Sequence, residues 1–313
     1  MKVLVTGGAG FIGSHTVDAL LAAGHQVTVL DDLSSGEQAN VPPAVHFVRG
    51  DICDRALVDK AVTGHDVVTH FAAYTSVPGS FEQPERCFAV NVHGTLNILE
   101  AAVKHRVGRI VFASSSAVYA ELPDLPKKEA DCPGPSSPYA VSKLEVEHLL
   151  EWYRQQYGLS YMALRYFNVY GPRQSASSDY ASVIPAFVKA ASAGQPLTIF
   201  GDGSQTRDFV YVADVAKANA MAAAGKGSGV LNIGTGIPCA ISELARHILS
   251  LRPSKSAIRY AEKRQGDVAS CTADTKLARR LLGWRASWEL QDGLIAASDW
   301  SVRTSKGSLE TVR

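Results

Sequence analysis

Cysteine is scarce and scattered in this chain of 313 residues. The five cysteines, Cys53, Cys87, Cys132, Cys239 and Cys271, include no C-x-x-C pair. An odd, widely spaced set disfavours a disulfide framework or a zinc knuckle, so no metal site is expected and a reducing compartment is the natural setting. Charge is low as well: 31 Lys and Arg stand against 30 Asp and Glu, a formal net charge of +1, and only 19% of residues are charged. A protein that coats nucleic acid would carry a large positive excess or a dense basic tract, so no nucleic-acid partner is expected. Long apolar runs are missing too. None approaches the ~20 residues that span a bilayer, and Met1 to Val5 gives way to glycine before a leader's apolar stretch can form. These absences predict a soluble, cytoplasmic protein with no membrane partner. Core-forming residues, in contrast, are plentiful. At 46% hydrophobic the chain is not a disordered one, and at roughly 150 residues per domain its length suits two domains or one large unit with an added lobe.

One rhythm repeats through the first half: a short β-branched run, then a longer amphipathic stretch. Strands are predicted at Lys2 to Thr6, Gln26 to Leu30, Val45 to Val48, Asp66 to Thr69, Arg109 to Ala113 and Ser160 to Arg165, with helices at Ile12 to Ala23, Arg55 to Thr63, Glu85 to Arg106 and Tyr139 to Tyr157. Leu144, Leu149, Leu150 and Tyr153 recur at helical spacing in the last, and Ser137-Pro138 suits a helix start. Such alternation predicts an α/β fold, a doubly wound parallel sheet with right-handed crossovers. After Gly171-Pro172 the rhythm weakens, and the Ser-rich stretch Ser175 to Ser182 suggests a boundary. Residues 1–170 are therefore expected to form a Rossmann-like domain, with some later segments returning to it. Residues 171–313 are expected to form a smaller α/β substrate lobe that includes helices at Val212 to Ala224, Ser242 to Leu251 and Leu277 to Leu282. Residues 251 to 313 carry a net +5, leaving −4 for the rest. That basic tail is either a solvated surface or a lobe that receives a small anion.

Thr6-Gly7-Gly8-Ala9-Gly10-Phe11-Ile12-Gly13 lies between the first strand and the first helix. There a dinucleotide pyrophosphate would meet helix N-terminal amides, and Gly7, Gly10 and Gly13 would let the backbone come close. Asp31, 18 residues beyond Gly13, ends the second strand, where a carboxylate suits the adenosine ribose and repels a 2′-phosphate. No Arg or Lys lies between 32 and 44 to receive such a phosphate. NAD is thus expected over NADP. Asp32 is the alternative carboxylate. Asp51 and Ile52 suit the adenine edge, with an Asp51 helix cap as the competing reading.

Tyr139 and Lys143 stand one helical turn apart on one face. Half-ionising a tyrosine near neutral pH requires about 4 kcal/mol. A neighbouring ammonium and a nicotinamide cation act in the right direction, so Tyr139 could take a proton from a substrate hydroxyl. Ser114-Ser115-Ser116 follows an apolar strand at the carboxyl end of the predicted sheet, where one hydroxyl could steady the reacting oxygen while the others are loop residues.

These residues carry a resemblance that extends over nearly the whole chain. TGGAGFIGSH at 6–15, GDI at 50–52, HFAA at 70–73, NVHGTLNILEAA at 91–102, SSSAVY at 114–119, SPYAVSK at 137–143, LRYFNVYGPRQ at 164–174, IFGDGSQTRDFVYVADVA at 199–216 and RQGDV at 264–268 resemble the extended short-chain dehydrogenases/reductases. Within that group they resemble the nucleotide-sugar epimerases of the UDP-glucose 4-epimerase type. The resemblance implies Tyr139 as general base, Lys143 as its modulator and ribose ligand, and Ser115 as hydroxyl partner. It adds Phe11, Ile12, Phe71, Ala72, Ala73, Asn91, Ser114 and Tyr166 to the NAD site. Asn168, Val183, Phe200, Arg207, Arg264 and Asp267 would surround a UDP-sugar, the arginines suiting its pyrophosphate. It further implies a homodimer through Glu85 to Arg106 and Tyr139 to Tyr157.

Departures from the pattern are informative. Ala117 stands where related dehydratases and decarboxylases carry an acid, so neither of those reactions has its usual group. Thr75 replaces a lysine and Ser182 an asparagine found in many galactose-pathway enzymes. Cys271 falls where a small residue admits a 2-N-acetyl group and tyrosine blocks it; its competing role is packing. The expected function is NAD-dependent C4 epimerisation of UDP-glucose, with UDP-GlcNAc also accepted, through a 4-keto sugar. UDP-glucuronate epimerisation, 4-keto reduction and non-catalytic NAD sensing are the alternatives.

Overall fold

Alternating β-branched and amphipathic segments call for layers of helix on sheet, and a computed structural model of the chain shows that arrangement. It describes residues 1–119, 125–175, 182–251, 256–263 and 269–310. The strands in chain order are β1 (Lys2–Thr6), β2 (Gln26–Asp31), β3 (His46–Arg49), β4 (Val67–His70), β5 (Arg109–Ser115), β6 (Ser160–Tyr166), β7 (Asn168–Tyr170), β8 (Leu197–Phe200), β9 (Thr206–Tyr211), β10 (Gly229–Ile233), β11 (Pro238–Ala240), β12 (Ile258–Ala261) and β13 (Ser270–Cys271). Helices α1 (Phe11–Ala22), α2 (Arg55–Val62), α3 (Val77–Glu82), α4 (Pro84–Phe88), α5 (Thr95–Lys104) and α6 (Pro138–Tyr157) belong to the first half. They are followed by α7 (Val183–Ser192), α8 (Val212–Ala224), α9 (Ile241–Ser250), α10 (Lys276–Leu282) and α11 (Leu290–Glu310).

Seven strands form one sheet in the order β10-β6-β5-β4-β1-β2-β3, and every pair in it is parallel. The chain runs outward from β1 to β3, then returns to β4 and proceeds the other way. Loops leaving β1 and β4 therefore diverge to opposite faces and open a crevice between them. Successive residues of β1 supply both cores. Val3 and Val5 pack with Val17 and Leu20 of α1 and Val215 and Ala218 of α8, while Leu4 packs with Ile98 and Leu99 of α5 and Val146 and Leu150 of α6.

The second lobe has its own core, in which Phe187 and Val188 of α7, Ile199 of β8, Phe209 of β9 and Leu244 of α9 meet. Its sheet centres on β9, which pairs with β7, β11 and β13, and β8 pairs with β12. After building part of this lobe the chain returns to the main sheet, where β10 adds to the edge of β6.

Most predicted boundaries lie within a residue or two of the observed ones, the ordinary scatter of element ends. One departure is larger. The continuous helix expected over Glu85 to Arg106 is divided into α4, a π-helical stretch Ala89–Gly94, and α5. Asn91 sits in that stretch with its amide tied to the loop after β4, and inserted side-chain bonding of this kind widens a helical turn. Among the described residues no helix is long and apolar enough to cross a membrane.

Candidate active site

The glycine loop is shaped first by its own packing. Gly7 has φ +69, and a Cβ there would lie 2.6 Å from the Ala72 amide nitrogen, so side chains are excluded where β1 and β4 exit together. A Cβ on Gly13 would lie 2.1 Å from Gly7 O, which brings the first turn of α1 against the loop. At Gly10 the only neighbour is Gly7 O at 3.3 Å, and this glycine borders open space. It is also the N-cap of α1, without a side-chain cap and without an acidic residue in the first turn. The helix ladder begins at Ser14, whose N–H donates to Gly10 O at 3.0 Å. The N–H groups of Phe11, Ile12 and Gly13 lie outside it, an arrangement that receives an anion.

Asp31 and Asp32 part company in the structure. Asp31 is 7% exposed; its Oδ2 accepts from the Ala9 N–H at 2.9 Å and its Oδ1 from the Leu33 N–H at 2.8 Å. Burial pushes its carboxyl pKa up, against those two hydrogen bonds. Asp32 is exposed and closes a turn by accepting from the N–H and Oγ of Ser34. Asp51 accepts from the Cys53 N–H at 2.8 Å. The cap of α2 is Asp54, whose side chain accepts from Ala56 and Leu57, which corrects the capping alternative for Asp51. The Ile52 side chain is core, 3% exposed. Phe71 and Ala72 lie beside the loop, their N–H groups donating to Thr6 O at 2.9 Å and Thr6 Oγ1 at 3.3 Å, and Ala73 follows, half-buried. The open amides, the room at Gly10 and the Asp31 carboxylate fit a dinucleotide with an unphosphorylated ribose.

Three residues of the predicted NAD set direct their side chains into the scaffold. Asn91 Oδ1 accepts from the Tyr74 N–H at 2.7 Å, and its Nδ2 donates to Tyr74 O at 3.1 Å and Ser142 Oγ at 2.9 Å. Ser114 donates to Glu147 Oε1 at 2.5 Å. It precedes Ser115 on β5, and neighbouring strand residues face opposite sides. The Tyr166 hydroxyl donates to Asn219 at 2.7 Å.

At the carboxyl end of β5 the proton-handling groups converge. Ser137 caps α6 through its hydroxyl, Pro138 takes the first turn, and Tyr139 follows with its N–H on Ser80 Oγ at 3.2 Å. Burial pushes the Tyr139 phenol up, and a hydrogen bond from Ser115 pulls it down. Ser115 Oγ also accepts from the Ala117 N–H at 3.1 Å, which fixes the hydroxyl. Lys143 is 3% exposed. Its Nζ donates to Ala113 O at 2.8 Å, 4.8 Å from the Phe112 ring centroid and 5.7 Å from that of Tyr139. Burial pushes the lysine down to about 8. Ser115 thus favours the phenolate, with the Lys143 ammonium nearby on the same helix.

Across the crevice, β13 sets Cys271 beside Arg207 of β9. Burial pushes the Cys271 thiol up, while a hydrogen bond with Ser116 and the Arg207 charge pull it down. This joins the second lobe to the Ser115 turn. Asn168 begins β7 opposite Phe209; Val183 opens α7 and Phe200 closes β8. Arg264 and Asp267 lie outside the described residues.

Several supporting groups were not found from sequence. Asp208 is fully buried and accepts from the Thr235 N–H and Oγ1, the Gly236 N–H and the Ala273 N–H. Glu147, 4% exposed, holds Arg165 with two bonds of 3.0 and 2.6 Å. His70 links Thr6 Oγ1 at 2.6 Å to Thr95 Oγ1 at 2.9 Å. For Asp208 and His70, an acid or histidine amid apolar strand residues was the available signal.

Residues 3–234 match the NAD dependent epimerase/dehydratase family. A relative from Methanocaldococcus jannaschii described as a putative UDP-glucose 4-epimerase is 43% identical over 306 residues, 97% of this chain and 99% of its own. Among solved structures, a UDP-glucose 4-epimerase from Thermotoga maritima with UDP-glucose superposes with a TM-score of 0.94 at 37% identity, covering 97% of this chain and 99% of the other. A UDP-N-acetylglucosamine 4-epimerase from Methanobrevibacter ruminantium in complex with UDP-N-acetylmuramic acid gives 0.93 at 38%, covering 97% and 98%.

Proposed function

Because this chain belongs to the NAD dependent epimerase/dehydratase family, we propose that it inverts C4 of a UDP-hexose, interconverting UDP-glucose and UDP-galactose, with NAD as its resident cofactor. The observation that carries the reading is the convergence of Ser115, at the carboxyl end of β5, with Tyr139 and Lys143 on α6, the Lys143 ammonium lying 5.7 Å from the Tyr139 ring centroid. When bound, NAD supplies a reversible hydride acceptor for C4. Phe11, Ile12 and Gly13 amides and the Asp31 carboxylate would hold its pyrophosphate and ribose. Tyr139 takes the proton of the 4-hydroxyl and returns it to the 4-keto oxygen. Ser115 donates to that same oxygen and steadies its charge in both directions. Lys143, desolvated between Phe112 and Tyr139, holds positive charge near the phenol and thereby favours its ionised form.

Inversion also requires the sugar to present its other face while UDP stays anchored. Arg207 on the rigid β9 suits the anchoring. Cys271, small and placed against Ser116, leaves space for a 2-N-acetyl group, so UDP-GlcNAc is proposed as a second substrate. A homodimer through α4, α5 and α6 belongs to the same reading, supported by Trp152 and Tyr157 on α6, which are 47% and 53% exposed.

Incubation of the purified chain with UDP-glucose and with UDP-GlcNAc, with and without added NAD, tests the proposal. Formation of the 4-epimers, abolished in Tyr139→Phe, is expected. Absence of any conversion even with NAD present would overturn it.

A further inference from the structure

Strand β5 loses a neighbour near its end. Its ladder to β4 stops at Phe112, opposite His70, whereas its ladder to β6 continues to Ser115. Residues 113–115 therefore keep β6 alone as a strand partner, and all three are tied to α6. The Ala113 carbonyl accepts from Lys143 Nζ at 2.8 Å, the Ser114 hydroxyl donates to Glu147 Oε1 at 2.5 Å, and the Ser115 hydroxyl meets the Tyr139 phenol. Tyr139, Lys143 and Glu147 recur every four residues, so they lie along one face of α6. The first two handle the proton in the chemistry above. Glu147 is buried and has no part in it.

Both carboxylate oxygens of Glu147 are engaged. Arg165 of β6, the register partner of Ser114, donates from Nε to Oε1 at 3.0 Å and from Nη2 to Oε2 at 2.6 Å. One carboxylate thus holds Ser114 together with the residue beside it on the next strand. The Arg165 guanidinium also lies over the Tyr119 ring, 4.7 Å from its centroid, and the Tyr119 hydroxyl donates to Asn232 Oδ1 at 2.6 Å. Ser114 and Tyr119 bracket the turn that carries Ser115 and Ser116. The same ion pair touches both ends of it.

We propose that Glu147 is a positioning residue for the proton transfer at C4: with Arg165 it pins both ends of the 114–119 turn and so holds the Ser115 hydroxyl against Tyr139. The inference rests on the epimerase reading of the site. A buried ion pair adds little net stability, because desolvation offsets its attraction. Its two-pronged geometry, in contrast, fixes position closely.

Steady-state epimerisation of UDP-glucose by the NAD-loaded full chain tests this in wild type, in Ser114→Ala and in a paired variant that combines Glu147→Leu with Arg165→Met, with denaturant midpoints measured alongside. Apolar residues of similar volume can replace a buried ion pair without loss of stability, so the paired variant is expected to keep its midpoint. In both variants kcat should fall by about 10- to 100-fold, the effect of moving a reacting group by about 1 Å. KM should stay unchanged, and the acid limb of the kcat/KM profile should move to higher pH as the phenolate loses its donor. Ser114→Ala leaves the ion pair in place and decides the matter if the paired variant does not fold. Wild-type kcat in either folded variant, an unshifted acid limb, or a loss confined to KM or to the midpoint would overturn the role of Glu147 and leave the epimerase reading standing. No turnover by wild type would overturn both.

Discussion

Asp31 accepts a 2.9 Å hydrogen bond from the N–H of Ala9, so the carboxylate that ends β2 and the loop that leaves β1 form one rigid unit. In the function proposed above, the same carboxylate selects the cofactor by accepting from ribose hydroxyls and repelling a phosphate. Asp31→Asn should weaken NAD binding by about 10- to 100-fold and raise the NADP-to-NAD affinity ratio. Titration of both dinucleotides measures this, and an unchanged ratio would show that Asp31 does not select.

Ser115 is the group that pulls the Tyr139 phenol down against burial. Removing a donor to the phenolate destabilises the charged form, so the pKa must rise. Ser115→Ala is therefore expected to move the acid limb of the kcat/KM profile to higher pH and to lower kcat by about 10²-fold. A lowered plateau with an unshifted limb would assign Ser115 to the substrate oxygen alone.

Cys271→Tyr fills the space beside Ser116. Epimerisation of UDP-GlcNAc should be lost while that of UDP-glucose is retained, as measured by product separation for each substrate. Equal loss of both would reduce Cys271 to a packing residue.

His70 is fully enclosed, and burial together with the Lys143 charge pushes it down to about 3. The folded state refuses a proton that the unfolded chain takes near pH 6.5. Stability is therefore lost as pH falls below that value, down to about 3. Between pH 7.5 and 5.5 this group alone should account for about 1 kcal/mol. Denaturant midpoints of wild type and His70→Gln at the two pH values test it, the variant showing the flatter dependence. Parallel curves would remove His70 as the cause.

The main sheet was legible because its strands are continuous apolar runs, as a sheet covered on both faces requires. Their carboxyl ends were read short. Ser114 and Ser115 on β5, Tyr166 on β6 and His70 on β4 continue the hydrogen-bonded ladder, but their polarity looks like loop to a hydrophobic pattern. Those are the positions that border the crevice. The glycine loop and the Tyr139–Lys143 pair were legible because both are local in sequence. Asp208 and Glu147 were not, since their partners lie in distant segments such as Thr235 and Ala273 for the first and Arg165 for the second.

The central claim is that hydrogen leaves and returns to C4 within one active site. Incubation of the chain with UDP-[4-²H]glucose in ordinary water, followed by mass and NMR analysis of the product, tests it most directly. UDP-galactose that retains deuterium at C4 is the predicted result. Product with protium at C4, or no UDP-galactose from NAD-loaded protein, would contradict the account.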